Sequence, residues 1–429
     1  MDKDGVKHDN LTTSPGSPKP PTTFKGKMKA VGPGFVTAAT GVGTGDLIAA
    51  LVAGAAFGTT LAWAILLGSV FKFYFTEGMG RWQLATGTTI LEGWHSLGKW
   101  ATSYFGVYSI LWGFSYGAAA MSTSAIMMVT MFPIMPLWAW AVIHGLAGMA
   151  LVLFGKYKVF EKVMMIMIGV MFVTVVGSAI ILLPDIGNIL SGFVPRTGDS
   201  SMLLVLGLLG GVGGTITMAS YGYWIREKNW EGKTWVPMMR MDSAVGYTIT
   251  AIFTLSLLIV GAEFLYGTGI EIGGEEGLVT LSGLFSEEFG SFARWMFLIG
   301  AWSAAFSSLL GVWNGVPYLF ADFVRLVRNK GEQSDKPVSS KDPAYRAYLL
   351  WLTFPPMLLL FFGKPVFLVI LYGALGALFM PFLAITLLYL LNSNRVGKDF
   401  KNGWIANIVL TGCVLVFGYL GIIQLMDMF

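Results

Sequence analysis

Apolar stretches of roughly 20 residues recur along nearly the whole chain, separated by short polar segments that hold most of the charge. Runs of that length match helices crossing a bilayer and exceed ordinary strands. Eleven spans are predicted, at approximately 31–57, 60–80, 104–131, 134–154, 159–184, 202–225, 243–262, 290–320, 346–362, 365–391 and 403–426. The ninth, RAYLLWLTFPPMLLLFF, is short, and Pro355-Pro356 must kink it.

Two spans carry residues that a helix interior disfavours. TGVGTGDLIAA, residues 40–50, sets Gly41, Gly43 and Gly45 just ahead of Asp46. GLLGGVGGTITMAS, residues 207–220, is the counterpart in span 6. Glycine costs about 1 kcal/mol against alanine inside a helix. Broken backbone at membrane depth persists only where protein or a water-filled cavity takes up the freed amides and carbonyls. Breaks at matching positions five spans apart point to a central transport site. An odd interval gives the two halves opposite orientation, so the expected fold is all-α with an inverted 5+5 repeat and broken helices 1 and 6, as in the leucine-transporter type. The expected division is a disordered tail at 1–30, a first repeat at 31–200, a second at 201–392 and a final helix at 393–429. A break in span 1 turns carbonyls inward and faces Asp46 to a cavity. A mid-membrane carboxylate is costly unless it is paired or functional; close packing of helices through small residues is the competing account of the glycines.

Charge then orients the layout. With the amino terminus inside, 24 of the 28 basic residues fall in the interior tail and loops. Lys72, Arg196, Arg294 and Lys364 are the remainder. The expectation is therefore a cytoplasmic amino terminus, an extracellular carboxyl terminus and residence in the plasma membrane. The outer loop at 263–290 is acidic and reads first as a solvated loop facing the outside, the alternative being a segment that gathers cations at the entrance. In span 2, Glu77 and Arg81 share a helix face and pair. With Lys72 they read as snorkelling side chains or gate salt bridges near the inner end. Asp242, after Arg240, reads as holding the inner loop, and Glu161 and Lys162 as interfacial anchors.

Composition agrees: 55% of the 429 residues are apolar, 12% are charged and the mean hydropathy is +0.68. The Ser-, Thr- and Pro-rich tail lacks the apolar core of a secretory signal. Cys413 is the sole cysteine, so no intrachain disulfide forms. His8, His95 and His144 have no metal-ligand spacing. P-loop, HExxH and nucleophile-elbow signatures are absent, which argues against an enzyme. Nothing suggests nucleic acid, and oligomeric state is not legible.

Residues 32–63, GPGFVTAATGVGTGDLIAALVAGAAFGTTLAW, closely resemble the first span of the Nramp divalent-metal transporters, which begins GPGF and contains a DPGN break. The likeness continues through KVFEK (158–162), MRMDS (239–243), Ser307-Ser308 with Gly311, and MPF (380–382). It implies alternating access around a metal held at broken helices 1 and 6, with the metal as transported substrate and no cofactor. DPGN corresponds to Gly43, Thr44, Gly45 and Asp46, so the leading Asp is lost and one carboxylate moves. The family's span 6 Met with the following Pro-His corresponds to Met218, Ala219 and Ser220, or its Met to Ala219 if the register shifts by one. Thr215 stands where the family offers a carbonyl. The span 10 Gln corresponds to Phe379, and the acidic proton relay of span 3 to Tyr116 and Thr123. Losing the His and those carboxylates removes the titratable groups a proton relay needs. A roomier site with one carboxylate suits Mg²⁺, which keeps much of its water. The pattern resembles the Nramp-related magnesium transporters, with Mn²⁺ also carried. Met218 speaks for a softer metal with proton coupling, and the scaffold also suits a small organic cation or amino acid.

Overall fold

A computed structural model describes residues 18–154, 157–182, 185–196, 202–270, 272, 275–329 and 338–426. Residues 1–17 of the expected tail lie outside this set. The rest of that tail is partly ordered. Helix α1 (Phe24–Ala30) is capped by Thr23, which accepts from the Gly26 N–H. The N-cap hydroxyl supplies the first turn of that helix with an acceptor.

Span 1 is two helices, α2 (Pro33–Gly41) and α3 (Thr44–Phe57). Then come α4 (Ala62–Thr86), the short α5 (Ile90–Ser96), α6 (Lys99–Met131), α7 (Leu137–Phe154) and α8 (Tyr157–Met171). A π turn, Phe172–Val176, joins α8 to α9 (Gly177–Ile181), and α10 (Ile186–Ser191) follows. Span 6 is again divided, into α11 (Met202–Gly211), a 3-10 turn (Ile216–Ser220) and α12 (Tyr221–Glu227). The remainder is α13 (Val236–Leu265), α14 (Glu275–Arg328), α15 (Pro343–Thr353), α16 (Pro365–Asn392) and α17 (Trp404–Met426).

Seven helices among the described residues are long and apolar enough to cross a membrane by length and composition. The eleven expected spans exceed this. Span 1 is cut in two, α4 and α6 are long enough but too polar, and the described apolar stretch of the last helix, Trp404–Leu420, is among the shorter ones. The ninth span turns 3-10 over Pro355–Phe362, as the proline pair requires. The acidic loop differs from expectation. Its later part is helical and runs into span 8, with a bend at Gly290, whose φ of +83° suits glycine.

The molecule is apolar outside and charged within. Leu66, Val107, Leu111, Ile166, Val173, Ile408 and Leu415 are exposed, whereas Asp46, Lys72, Glu77, Arg81, Asp242 and Asp322 are each at most 3% exposed. A bilayer in place of water explains that inversion. α13 lies along α3, α14 along α6, and α11 along α16, so both broken helices are enclosed by the bundle.

Candidate functional site at two helix breaks

The breaks touch back to back. A Cβ on Gly41 would stand 2.3 Å from the Gly213 carbonyl carbon, and one on Gly214 would stand 3.1 Å from the Gly41 Cα. Gly43, Gly213 and Gly214 have φ of +157°, +72° and +80°, conformations that residues with a side chain rarely adopt. This answers the competing packing account: the glycines supply both close approach and the turn.

Asp46 lies in the first turn of α3, where the helix dipole favours a carboxylate, and is 1% exposed. Its Oδ2 accepts the Gly213 N–H at 3.1 Å. Its Oδ1 has no hydrogen-bond partner among the described residues, and neither has Thr217 Oγ1. The hydroxyls of Thr44 and Thr215 face the phenols of Tyr116 and of Tyr108 and Tyr372, outside hydrogen-bonding geometry. Met218 is fully buried and Ala219 nearly so. Buried polar groups without partners are rare, so this cluster of them is the candidate site.

Several of the freed carbonyls are taken within the protein. The Thr40 carbonyl accepts from Ser308 Oγ at 2.8 Å, and Tyr116 bonds that same hydroxyl at 2.8 Å. The Gly43 carbonyl accepts from the Leu47 N–H at 2.9 Å, and that of Thr215 from the Met218 N–H at 3.2 Å. Span 6 is closed by Lys72, whose ammonium donates to Gly210 O at 2.9 Å and also to Gly214 O. Lys72 therefore neither snorkels nor joins a gate salt bridge. It is fully buried because Gly210 O, at the end of α11, and Gly214 O, just beyond it, supply its ammonium with acceptors.

The other expected residues fall into three groups. Thr123 donates to Ala119 O of its own helix at 2.9 Å. Phe379 stacks on Tyr108 at 4.5 Å within an aromatic layer that includes Tyr104, Phe382 and Trp94. Arg81, near the end of α4, meets the segment before α17. Glu77 and Arg81 pair at 2.7 Å, Arg240 joins Glu77 at 2.8 Å, and Arg81 also donates to Phe400 O, Lys401 O and Asn402 Oδ1. They pin α4 and α13 to that segment. Asp242 accepts from the Gly32 and Gly34 N–H groups at 3.0 and 2.6 Å and from Tyr221 OH at 2.8 Å, tying the start of α2 to α12. Asp242→Ala strands two buried amides and leaves the Tyr221 phenol only its longer contact with Met239 O at 3.2 Å, so it is expected to cost about 3 kcal/mol. A thermal unfolding curve in detergent, with Asp242→Asn intermediate, checks this.

Sequence reasoning missed a polar chamber. Asp322 Oδ2 accepts from Thr89 at 2.7 Å and Tyr223 at 2.5 Å, while Arg325 bridges Asp322 to Glu92, the latter at 3.1 Å. Burial lifts the Glu92 carboxyl above the usual carboxylate range, so it holds a proton in mild acid more readily than a free glutamate. Thr89, Tyr223, Asp322 and Arg325 line a cavity of about 350 Å³ that reaches Trp224 and Asn314, with Glu92 behind Arg325. Trp224 Nε1, Asn314 Oδ1 and Ser220 Oγ also lack partners among the described residues, and Ser220 and Trp224 close around Gly315. Unpartnered polar atoms thus continue from the breaks to the chamber. The available signal was Asp322 with Arg325, three apart on one helix face, which looks in sequence like an ordinary span end. His144 is held by Trp140 O and Trp302, and the described residues contain no cluster of three His, Cys, Asp or Glu around a possible metal.

A family model described as Nramp, natural resistance-associated macrophage protein-like, matches residues 34–427. An uncharacterized protein of Pasteurella multocida is 25% identical over 324 residues, covering 72% of this chain and 74% of that one. The divalent metal cation transporter MntH of Latilactobacillus sakei is 24% identical across 63% of this chain and 62% of its own length. Among solved structures, the Eremococcus coleocola manganese transporter, in complex with an aromatic bis-isothiourea substituted compound, gives a TM-score of 0.74 at 14% identity. That match covers 98% of this chain and 90% of that one. MhsT in complex with L-phenylalanine gives 0.55 at 16% identity, covering 92% and 98%. The fold is the leucine-transporter-type inverted repeat.

Proposed function

The chain belongs to the Nramp family, and from that premise we propose that it carries divalent metal cations across a membrane by alternating access. Mg²⁺ is the first substrate, Mn²⁺ is also carried, and protons are not coupled. The observation that carries this reading is the unpartnered Asp46 Oδ1, buried where the two breaks meet. One carboxylate oxygen with the hydroxyls of Thr44, Thr215 and Thr217 makes a hard, sparse donor set. It favours a small cation that keeps part of its water. An amino acid fits less well, since the start of α3 and the Gly213 N–H, where a substrate carboxylate would dock, already serve Asp46.

Spans 1, 2, 6 and 7 would rock against spans 3, 4, 8 and 9 about the breaks. The route would run through Ser220, Trp224 and Asn314 to the chamber at Asp322. On the charge distribution this is the cytoplasmic end, with the amino terminus inside and the carboxyl terminus outside a plasma membrane. A divalent ion moving inward gains about 4.6 kcal/mol per 100 mV, so membrane potential suffices to drive uptake. In span 3, Tyr116 and Thr123 replace a proton relay with hydroxyls that do not titrate near neutrality.

Met218, buried beside the break, supports a second reading in which a softer metal such as Mn²⁺ or Fe²⁺ is preferred. Met218→Ala separates the two. If the thioether binds metal, Cd²⁺ uptake falls about tenfold while Mg²⁺ uptake changes less than about twofold. Equal changes remove it from the ligand set. The whole proposal is tested in proteoliposomes holding a magnesium-sensitive dye and a pH dye. Mg²⁺ entry without acidification is expected; acidification in step with the metal would overturn the uncoupled mechanism.

A further inference from the structure

We propose that Lys72 is a resident cation, whose ammonium fills the carbonyl site at the span 6 break that a dissolved monovalent cation would otherwise occupy. α11 stops at Gly211, and the Val212 and Gly214 N–H groups turn to Leu208 O and Gly211 O, which leaves Gly210 O, at the negative end of the helix dipole, to Lys72. Gly213 and Gly214 then turn the chain through positive φ, which brings the Gly214 carbonyl beside that of Gly210. Both accept from one nitrogen, Lys72 Nζ. Two converging carbonyls at an unwound helix, with a carboxylate nearby, are the donor set broken-helix carriers present to a monovalent co-ion.

Here the occupant is tethered to α4 and does not exchange with the bath. The charged or titratable groups facing Lys72 are Asp46 from α3 and the Cys413 thiol from α17. Tyr247 from α13 and Tyr372 from α16 face Asp46 in turn, and α11 contributes carbonyls alone. The ammonium thus neutralises the negative end of α11 and offsets the Asp46 charge without an added ion. This rests on the reading of the breaks as the transport centre. It explains why a carrier with this span 6 geometry needs no co-ion, and it assigns Lys72 as the residue that sets ion dependence.

The test exchanges Na⁺, K⁺ and N-methylglucamine chlorides at about 0.15 M. Wild-type uptake of Mg²⁺ or Mn²⁺ should vary less than about twofold across the three, whereas Lys72→Ala should lose at least about tenfold in N-methylglucamine and regain most of it in Na⁺ or K⁺. Lys72→Arg should stay indifferent to the salt. A second readout does not need flux. Thermal unfolding of detergent-solubilised Lys72→Ala should shift upward in Na⁺ or K⁺ relative to N-methylglucamine, while wild type should not shift, because a cation bound only by the folded state stabilises it. A wild-type requirement for Na⁺ or K⁺ overturns the proposal even if the alanine variant does not fold, and so does a Lys72→Ala protein insensitive to the salt in both assays. Wild type that carries neither Mg²⁺ nor Mn²⁺ removes the metal-carrier reading instead, and the unfolding series then still decides Lys72.

Discussion

Asp46→Asn should abolish divalent uptake while leaving the protein folded. The amide keeps the size of the carboxylate and an oxygen that can accept from the Gly213 N–H, now 3.1 Å from Oδ2. What disappears is the one anionic oxygen without a partner at the breaks. Neutral oxygens of three threonines replace it poorly for a doubly charged ion, and a loss of about 100-fold in flux, or ~3 kcal/mol, is expected. Asp46→Ala should match it in flux but lower stability as well, since the Gly213 amide is then stranded. The check is uptake by a metal-sensitive dye beside a thermal unfolding curve of the same preparations. Retained uptake in a folded Asp46→Asn protein removes the carboxylate from the mechanism.

Gly41→Ala should be at least as damaging, by another route. The added methyl lands 2.3 Å from the Gly213 carbonyl carbon, which is backbone and cannot turn aside like a side chain. Overpacking by one methylene commonly costs about 1–3 kcal/mol, and here it would part the two breaks that position Asp46 against Gly213. The expected result is a lowered unfolding temperature, less monodisperse protein and loss of uptake together. Gly169→Ala is the control. It lies in α8, where an added Cβ meets nothing within 4 Å, so helix propensity alone predicts a gain of up to about 1 kcal/mol. Equal behaviour of the two variants would mean that the contact between the breaks is not tight.

These predictions rest on residues that differ in how readable they were. Gly41, Gly43 and Gly211 to Gly214 announce themselves, because glycine inside an apolar span has few uses and two such runs lie five spans apart. Asp46 is equally visible as an acid where acids are expensive. Lys72 was visible as a charge but misread, since a lysine in the inner half of a span looks like one that snorkels. Its actual partners, Gly210 and Gly214, are more than 130 positions away along the chain. Asp322, Glu92 and Arg325 stood at segment ends, where charges are ordinary, and nothing local showed that three connectors fold over one chamber.

Local covalent chemistry therefore determined the helical class, the rank of the spans, the two weak points and the carboxylate at the first of them. Hydropathy, backbone conformational preference and the cost of a charge in lipid act over one helix turn or one membrane thickness. Tertiary structure decided which freed carbonyls were taken, by Ser308 at span 1 and by Lys72 at span 6, and which oxygen remained for a guest. A hydrogen bond between distant segments depends on where the bundle places both partners, and no periodicity along the chain encodes that meeting.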